Sequence, residues 1–186
     1  MALVTTQNTL VNSLVDGPTL TAAAAATCIP TGALITLPAN FFYIGKKLKI
    51  IVAGRISCVV TTPGTARFDV RLNSTPIVVF DTGALNLNTT AKTNVPFYLE
   101  IHLTCRSIGS GTSGTLMGIG IFASEAVVGS PANTAGGNGS LLAPVGAPAV
   151  GTGFDSTAAN LMNLFFTQTV ATGSMTVHQY QVIEEN

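Results

Sequence analysis

Residues 97–105 alternate strictly. Phe97, Leu99, Ile101, Leu103 and Cys105 fall on one side of an extended chain, and Tyr98, Glu100, His102 and Thr104 on the other. Period two with one apolar side is the pattern of a strand in a sheet with a single buried face. Residues 67–73 repeat it, with Phe68, Val70 and Leu72 set against Arg67, Asp69, Arg71 and Asn73. Residues 76–80 form a second short strand, and Asn73, Ser74, Thr75 and Pro76 between them have turn composition, so the two read as a hairpin. Further strands are expected at 48–53, 56–60, 116–122, 164–170 and 175–182. Pro63-Gly64 marks a turn, and Thr172-Gly173 a tight reversal between the last two strands. At His178-Gln179 the last strand changes phase, which fits a β-bulge and equally an edge strand without strict facing. Gly118 and Gly120 alternate within one strand. They would admit a neighbouring backbone or a bulky side chain, or mark a bend in a coiled sheet.

Seven or eight strands, short turns and no convincing long helix predict an all-β fold, an antiparallel sandwich or barrel. A jelly-roll-like β-sandwich suits many half-buried strands best. An immunoglobulin-like sandwich fits less well, because there is no Trp and no suitably spaced cysteine pair. The 186 residues suit one domain able to bury a core without metal or disulfides. The expected organisation is an N-terminal arm at 1–20 and a β domain at 21–186 that carries one long loop at 124–153. The arm places Leu3, Val4, Leu10, Val11, Leu14 and Val15 where one helical face or an extended strand would hold them, until Asp16-Gly17-Pro18 ends it. The 124–153 loop is rich in Gly, Ala and Pro and has one charge, Glu125. A disordered loop is normally polar and charged; this one holds Val127, Val128, Leu141, Leu142, Val145 and Val150. It is therefore expected to be ordered by contact, over its own sheet or on a partner.

Only eight basic and eight acidic side chains occur, 9% of the chain, where soluble proteins average about 25%. A surface so poor in charge is weakly hydrated and is expected to be covered by other subunits. Zero net charge leaves no electrostatic footprint for nucleic acid. The one basic cluster, Lys46, Lys47 and Lys49, reads as the solvated start of a strand. Residues 22–26 are too short an apolar run to span a membrane. The first twenty residues lack the pattern of a secretory signal. Cys28, Cys58 and Cys105 show neither a disulfide framework nor zinc-ligand spacing, and Cys105 is expected as a small buried hydrophobe.

No catalytic or cofactor site is expected, and no metal site. The two histidines, His102 and His178, sit mid-strand. A Ser-His-Asp set drawn from Ser156, His178 and Asp155 lacks the Gly-x-Ser-x-Gly turn before a helix. Arg67 and Arg71 flank Asp69 at spacing two, which suggests a surface ion-pair ladder in place of a carboxylate dyad. Polar capacity lies in Thr, Ser, Asn and Gln, which suit large subunit interfaces. A carbohydrate-binding face would have few stacking rings, with no Trp and three Tyr.

The run Gly153-Phe154-Asp155-Ser156-Thr157-Ala158-Ala159-Asn160 leads into Leu164-Phe165-Phe166-Thr167-Gln168-Thr169 and Ser174-Met175-Thr176-Val177-His178-Gln179-Tyr180. Together with the 97–105 strand and the Gly/Ser connector after it, this resembles small β-rich virion proteins of tailed bacteriophages over residues 40–183. The resemblance implies a non-enzymatic jelly-roll structural protein, made in the bacterial cytoplasm and carried on the virion. It would be a capsid decoration (cement) protein on the shell exterior or, alternatively, a tail or head fibre with a receptor-binding, glycan-binding β domain. The implied partners are the major capsid protein and other copies of the chain, as a homo-oligomer, with a trimer favoured. The resemblance supplies no residue set; from the apolar residues of the arm and the long loop themselves, capsid or subunit contacts are expected at Leu3, Val4, Leu10, Val11, Leu14, Val127, Val128, Leu141, Leu142 and Val145.

Overall fold

A computed structural model of the chain describes residues 7–59, 62–73, 77–129 and 140–185. The fold is an all-β antiparallel sandwich. Its strands in chain order are β1 (Gln7–Asn12), β2 (Ala26–Thr27), β3 (Ile35–Leu37), β4 (Lys47–Cys58), β5 (Thr65–Leu72), β6 (Ile77–Asp81), β7 (Leu85–Leu87), β8 (Lys92–Ser107), β9 (Thr115–Ala123), β10 (Val127–Gly129), β11 (Ser140–Ala143), β12 (Asn160–Gln168) and β13 (Ser174–Glu185). Sheet A runs β1-β13-β4-β8-β9-β11; sheet B runs β10-β7-β5-β12-β2, with β3 also on β12 and β6 also on β5. The long strands nest as a jelly roll does. β4 pairs with β13 in sheet A, β5 with β12 in sheet B, and the β8-β9 hairpin lies inside this nest in sequence.

The alternation at 97–105 has its expected outcome: its five apolar residues are 3% exposed or less, and their neighbours face outward. Across the sandwich Phe68 and Phe166 from sheet B meet Phe97 and Phe122 from sheet A. Phe68 sits at the centre, its ring 5.1–5.7 Å from the other three. Gly118 and Gly120 both admit neighbours. A Cβ on Gly118 would lie 2.1 Å from the Phe80 ring of the facing sheet, and one on Gly120 would lie 2.2 Å from the Glu100 carbonyl oxygen.

Several expectations change. The expected strands at 48–53 and 56–60 are joined in one strand, β4, which passes through Gly54 without a break and ends at Cys58; residue 60 lies outside the described residues. A Cβ at Gly54 would strike the Thr176 carbonyl and the Phe97 ring, so the glycine is there to admit neighbours. The β-bulge in β13 is present between Val177 and Gln179, opposite Gly54 and Ala53. Thr172-Gly173 does not close a hairpin, because β12 and β13 belong to different sheets and the connection crosses the sandwich. The 67–73 and 76–80 segments do pair, as β5 and β6, although residues 74–76 of their turn lie outside the described residues.

The helical alternative for the arm is replaced by a strand. β1 pairs antiparallel with β13, and the chain beyond it keeps to the same edge, with Ser13 N–H donating to Tyr180 O, Gly17 N–H to Val177 O and Leu20 N–H to Met175 O. Thr and Val disfavour a helix through their stiff χ1, and an open strand edge supplies the alternative. The described parts of 124–153 lie on the chain's own sheets: β10 pairs with β7, β11 with β9, and Thr152 N–H donates to Val78 O. All three thiols are buried and free. Among the described residues no helix is long and apolar enough to cross a membrane.

Candidate functional site

The outer face of sheet A is built by the side chains that alternate away from the core. In cross-strand register, Tyr98 lies between Ala53 of β4 and Ala123 of β9, Glu100 between Ile51 and Ile121, and His102 between Lys49 and Ile119. Leu142 of β11 extends the row beyond Ile121. One half of the face is thus apolar, with Ile119 and Leu142 51% and 72% exposed. The other half is a polar network. Tyr98 O–H donates to Glu100 Oε2 at 2.5 Å, while His102 Nε2 and Lys49 Nζ lie 2.8 and 3.3 Å from Glu100 Oε1. These donors, Tyr98 first, hold the Glu100 carboxyl down to about 2, and the same hydrogen bond pushes the Tyr98 phenol up to about 12.

At the Tyr98 end of this face, the start of β8 and the β9-β10 connection enclose an open groove of about 660 Å³. Phe97, Tyr98, Pro96, Val127 and Val128 supply its apolar lining, and Asn88, Lys92, Ser124 and Glu125 its polar groups. Lys92 Nζ and Glu125 Oε2 are 2.8 Å apart, and Asn88 Nδ2 donates to the Glu125 carbonyl at 3.2 Å. Ser124 Oγ donates to Pro96 O and accepts from Ala126 N–H, which fixes the turn that carries Glu125.

The sequence-predicted contact residues are scattered over the molecule. Leu3 and Val4 lie outside the described residues. Leu10 and Val11 are half-buried against the chain's own core, whereas Leu14 is 91% exposed. Val127 is buried and Val128 half-buried, both beside the groove; Leu141 and Val145 pack on the core, and Leu142 is exposed. The structure therefore makes Leu14 and Leu142 available on the surface, while Val127 is used up inside.

The residues drawn together as a catalytic set have other partners. Ser156 Oγ accepts from Gly109 N–H, Asp155 Oδ1 accepts from Thr157 N–H and O–H, and His178 Nδ1 lies 2.9 Å from Asp16 Oδ1. The 153–160 segment is a structural clasp. Phe154 is buried edge-on to Phe42, and Asn160 receives a hydrogen bond from Asn73 Nδ2. Among the described residues no group of three His, Cys, Asp or Glu is arranged to hold a metal ion.

The expected Arg67-Asp69-Arg71 surface ladder is also different. Asp69 is fully buried on the outer side of sheet B and pairs with Arg71, whose guanidinium lies 4.0 Å from the centre of the Phe165 ring. Arg67 pairs across the sheet with Asp81. Lys46 is likewise not solvated: it is 7% exposed, pairs with Glu184 and sits 3.9 Å from the Phe41 ring centre.

No family model matches the chain, and no curated protein matches it. Among solved structures, the CBM2 module of the evolved Dit of Lactobacillus casei BL23 phage J-1 aligns with 82% of this chain and 68% of its own, at 13% identity and a TM-score of 0.32. At that score the likeness bears on neither the function nor the site of this chain.

Proposed function

We propose that the chain is a non-enzymatic structural subunit of a bacteriophage virion, a capsid decoration protein that binds the outer surface of the major capsid protein shell as a homo-oligomer, with a trimer as the favoured state. The observation that carries this reading is how the few charges are used. Five of the eight Lys/Arg side chains pair with five of the eight Asp/Glu side chains inside the one chain. Two more acids, Asp16 and Glu185, lie beside His178 and His102. Meanwhile Leu14, Ile44, Ile119, Leu142 and Val150 are each more than half exposed. A surface whose charges neutralise one another, and which shows large apolar side chains, favours contact with protein over solvent.

Stable protein contacts bury about 800 Å² per partner, and weak ones on a shell add through multivalency. Light scattering on the purified chain and co-sedimentation with undecorated phage shells test the reading. The expected results are a defined oligomer and retention on the shells, both weakened by Leu142→Ser with Ile119→Ser. A monodisperse monomer that stays in the supernatant sinks the proposal.

A further inference from the structure

The groove at the Tyr98 end of sheet A is lined by an aromatic ring and an ion pair, unlike the exposed apolar residues Ile119 and Leu142 on the rest of that face. We infer that the groove lined by Tyr98, Asn88, Lys92 and Glu125 is a binding site for a neutral oligosaccharide. Three observations carry this.

The first is the presentation of Tyr98. Its cross-strand neighbours are both alanines, Ala53 and Ala123, so its ring stands clear of taller side chains and is 39% exposed. Its hydroxyl is tethered to Glu100, which is itself held by His102 and Lys49, so the ring is fixed in place before any ligand arrives. A ring fixed in advance loses less entropy on binding, and it offers an apolar surface to the C–H face of a sugar.

The second is charge. The groove's two ionised groups are Lys92 and Glu125, and they form a pair. Their sum is zero, so neither an anion nor a cation gains a net Coulomb attraction. The ammonium, carboxylate and nearby Asn88 amide still offer donors and acceptors to hydroxyl groups. An occupant that combines hydroxyls with an apolar ring face and carries no charge matches such a lining.

The third is size and form. About 660 Å³ lies within the range of small-molecule sites, and the groove is open instead of enclosed, as a segment of a chain ligand requires. A second concavity, beside Leu142 and Pro148, lacks both an aromatic ring and an ionised group.

The test is an amide chemical-shift titration of the full chain with chitotriose, maltotriose and galactobiose. At least one probe is expected to shift amides confined to residues 88–98 and 123–128. Tyr98→Ala is expected to weaken that probe by about tenfold or more, the equivalent of one lost stacking contact. Glu125→Ala, at a side chain 58% exposed, should weaken it several-fold and leave the fold in place. Leu142→Ser, on the same sheet face but outside the groove, should bind as the wild type does. No shift with any of the three probes, shifts centred elsewhere, or wild-type affinity in both Tyr98→Ala and Glu125→Ala overturns the inference. A chain that binds sugar yet ignores shells overturns the structural role alone.

Discussion

Asp69 shows how far one buried charge depends on its partner. Its side chain is 1% exposed, one oxygen is met by Arg71 and the other, Oδ1, has no hydrogen-bond partner. Removing the cation that faces a buried carboxylate costs about 3–5 kcal/mol. Arg71→Ala should therefore lower stability by about that much, and it also strips the stack on Phe165. Lys92→Ala, which breaks a pair whose acid is 58% exposed, should change stability by about 1 kcal/mol or less. Urea unfolding of the two variants separates these outcomes, and equal effects would refute the distinction. The glycines make a second contrast. Gly120→Ala pushes a methyl group into a backbone carbonyl that cannot step aside, Gly118→Ala pushes one into the Phe80 ring, and Gly146→Ala meets nothing within 4 Å. The first two should destabilise by about 1–3 kcal/mol, with Gly120→Ala the worse, and the third should be neutral. Glu100 gives the pH dependence. Its carboxyl is held at about 2 in the folded chain against an ordinary value of 4.5. A depressed folded value means that the group stabilises fully above the ordinary value and that this support is lost as pH falls from 4.5 towards 2. Glu100→Gln should flatten that part of the acid limb in urea midpoints measured across the window, whereas an unchanged slope would show the network to be energetically silent.

β1 is the element whose contribution is most separable. It covers the edge of β13, adds half-buried Leu10 and Val11 to the core, and leads into the Asp16–His178 contact at the bulge. Deleting residues 1–18 would uncover backbone donors and acceptors along β13, which is a template for pairing with another chain. The shortened protein should unfold at lower urea and scatter more light at equal concentration. A fully stable monomer would show that the strand is dispensable. The same element marks where the sequence stopped being informative. Period two identified 97–105 and 67–73 because one face of each is buried, but Leu10, Val11 and Leu14 obey no single period around the bulge at Leu10. Strands of two or three residues, such as β2, β7 and β10, are too short to show a period at all. The groove was out of reach for another reason. Asn88, Lys92 and Tyr98 lie within 88–98 whereas Glu125 follows β9, so only the pairing of β8 with β9 brings them together. Asp69 looked like a surface residue because alternation places it outward. The structure instead pairs it with Arg71, whose guanidinium lies over Phe165 of β12, a strand far away in sequence.

At the scale of the whole molecule, the sandwich keeps its charges for itself and offers its apolar residues outward. This allocation fixes how the proposed assembly should respond to salt. The Debye length shrinks from about 10 Å at 0.1 M salt to about 3 Å at 1 M, so contacts between subunits that rest on charge weaken over that range. Contacts that rest on burying Ile119, Leu142 and Leu14 should hold or tighten, because apolar association does not depend on screening. Within the fold, the half-exposed pairs such as Arg67–Asp81 lose some of their small value, but the Phe68 cluster that joins the two sheets does not. The mass of the proposed homo-oligomer by light scattering should therefore stay constant or rise between about 0.1 and 1 M sodium chloride. Its formation should show a negative heat-capacity change by calorimetry, the mark of buried apolar surface. Dissociation to monomers in high salt would place the Lys and Glu side chains at the interface. The internal pairing seen in the chain would then have to open on assembly.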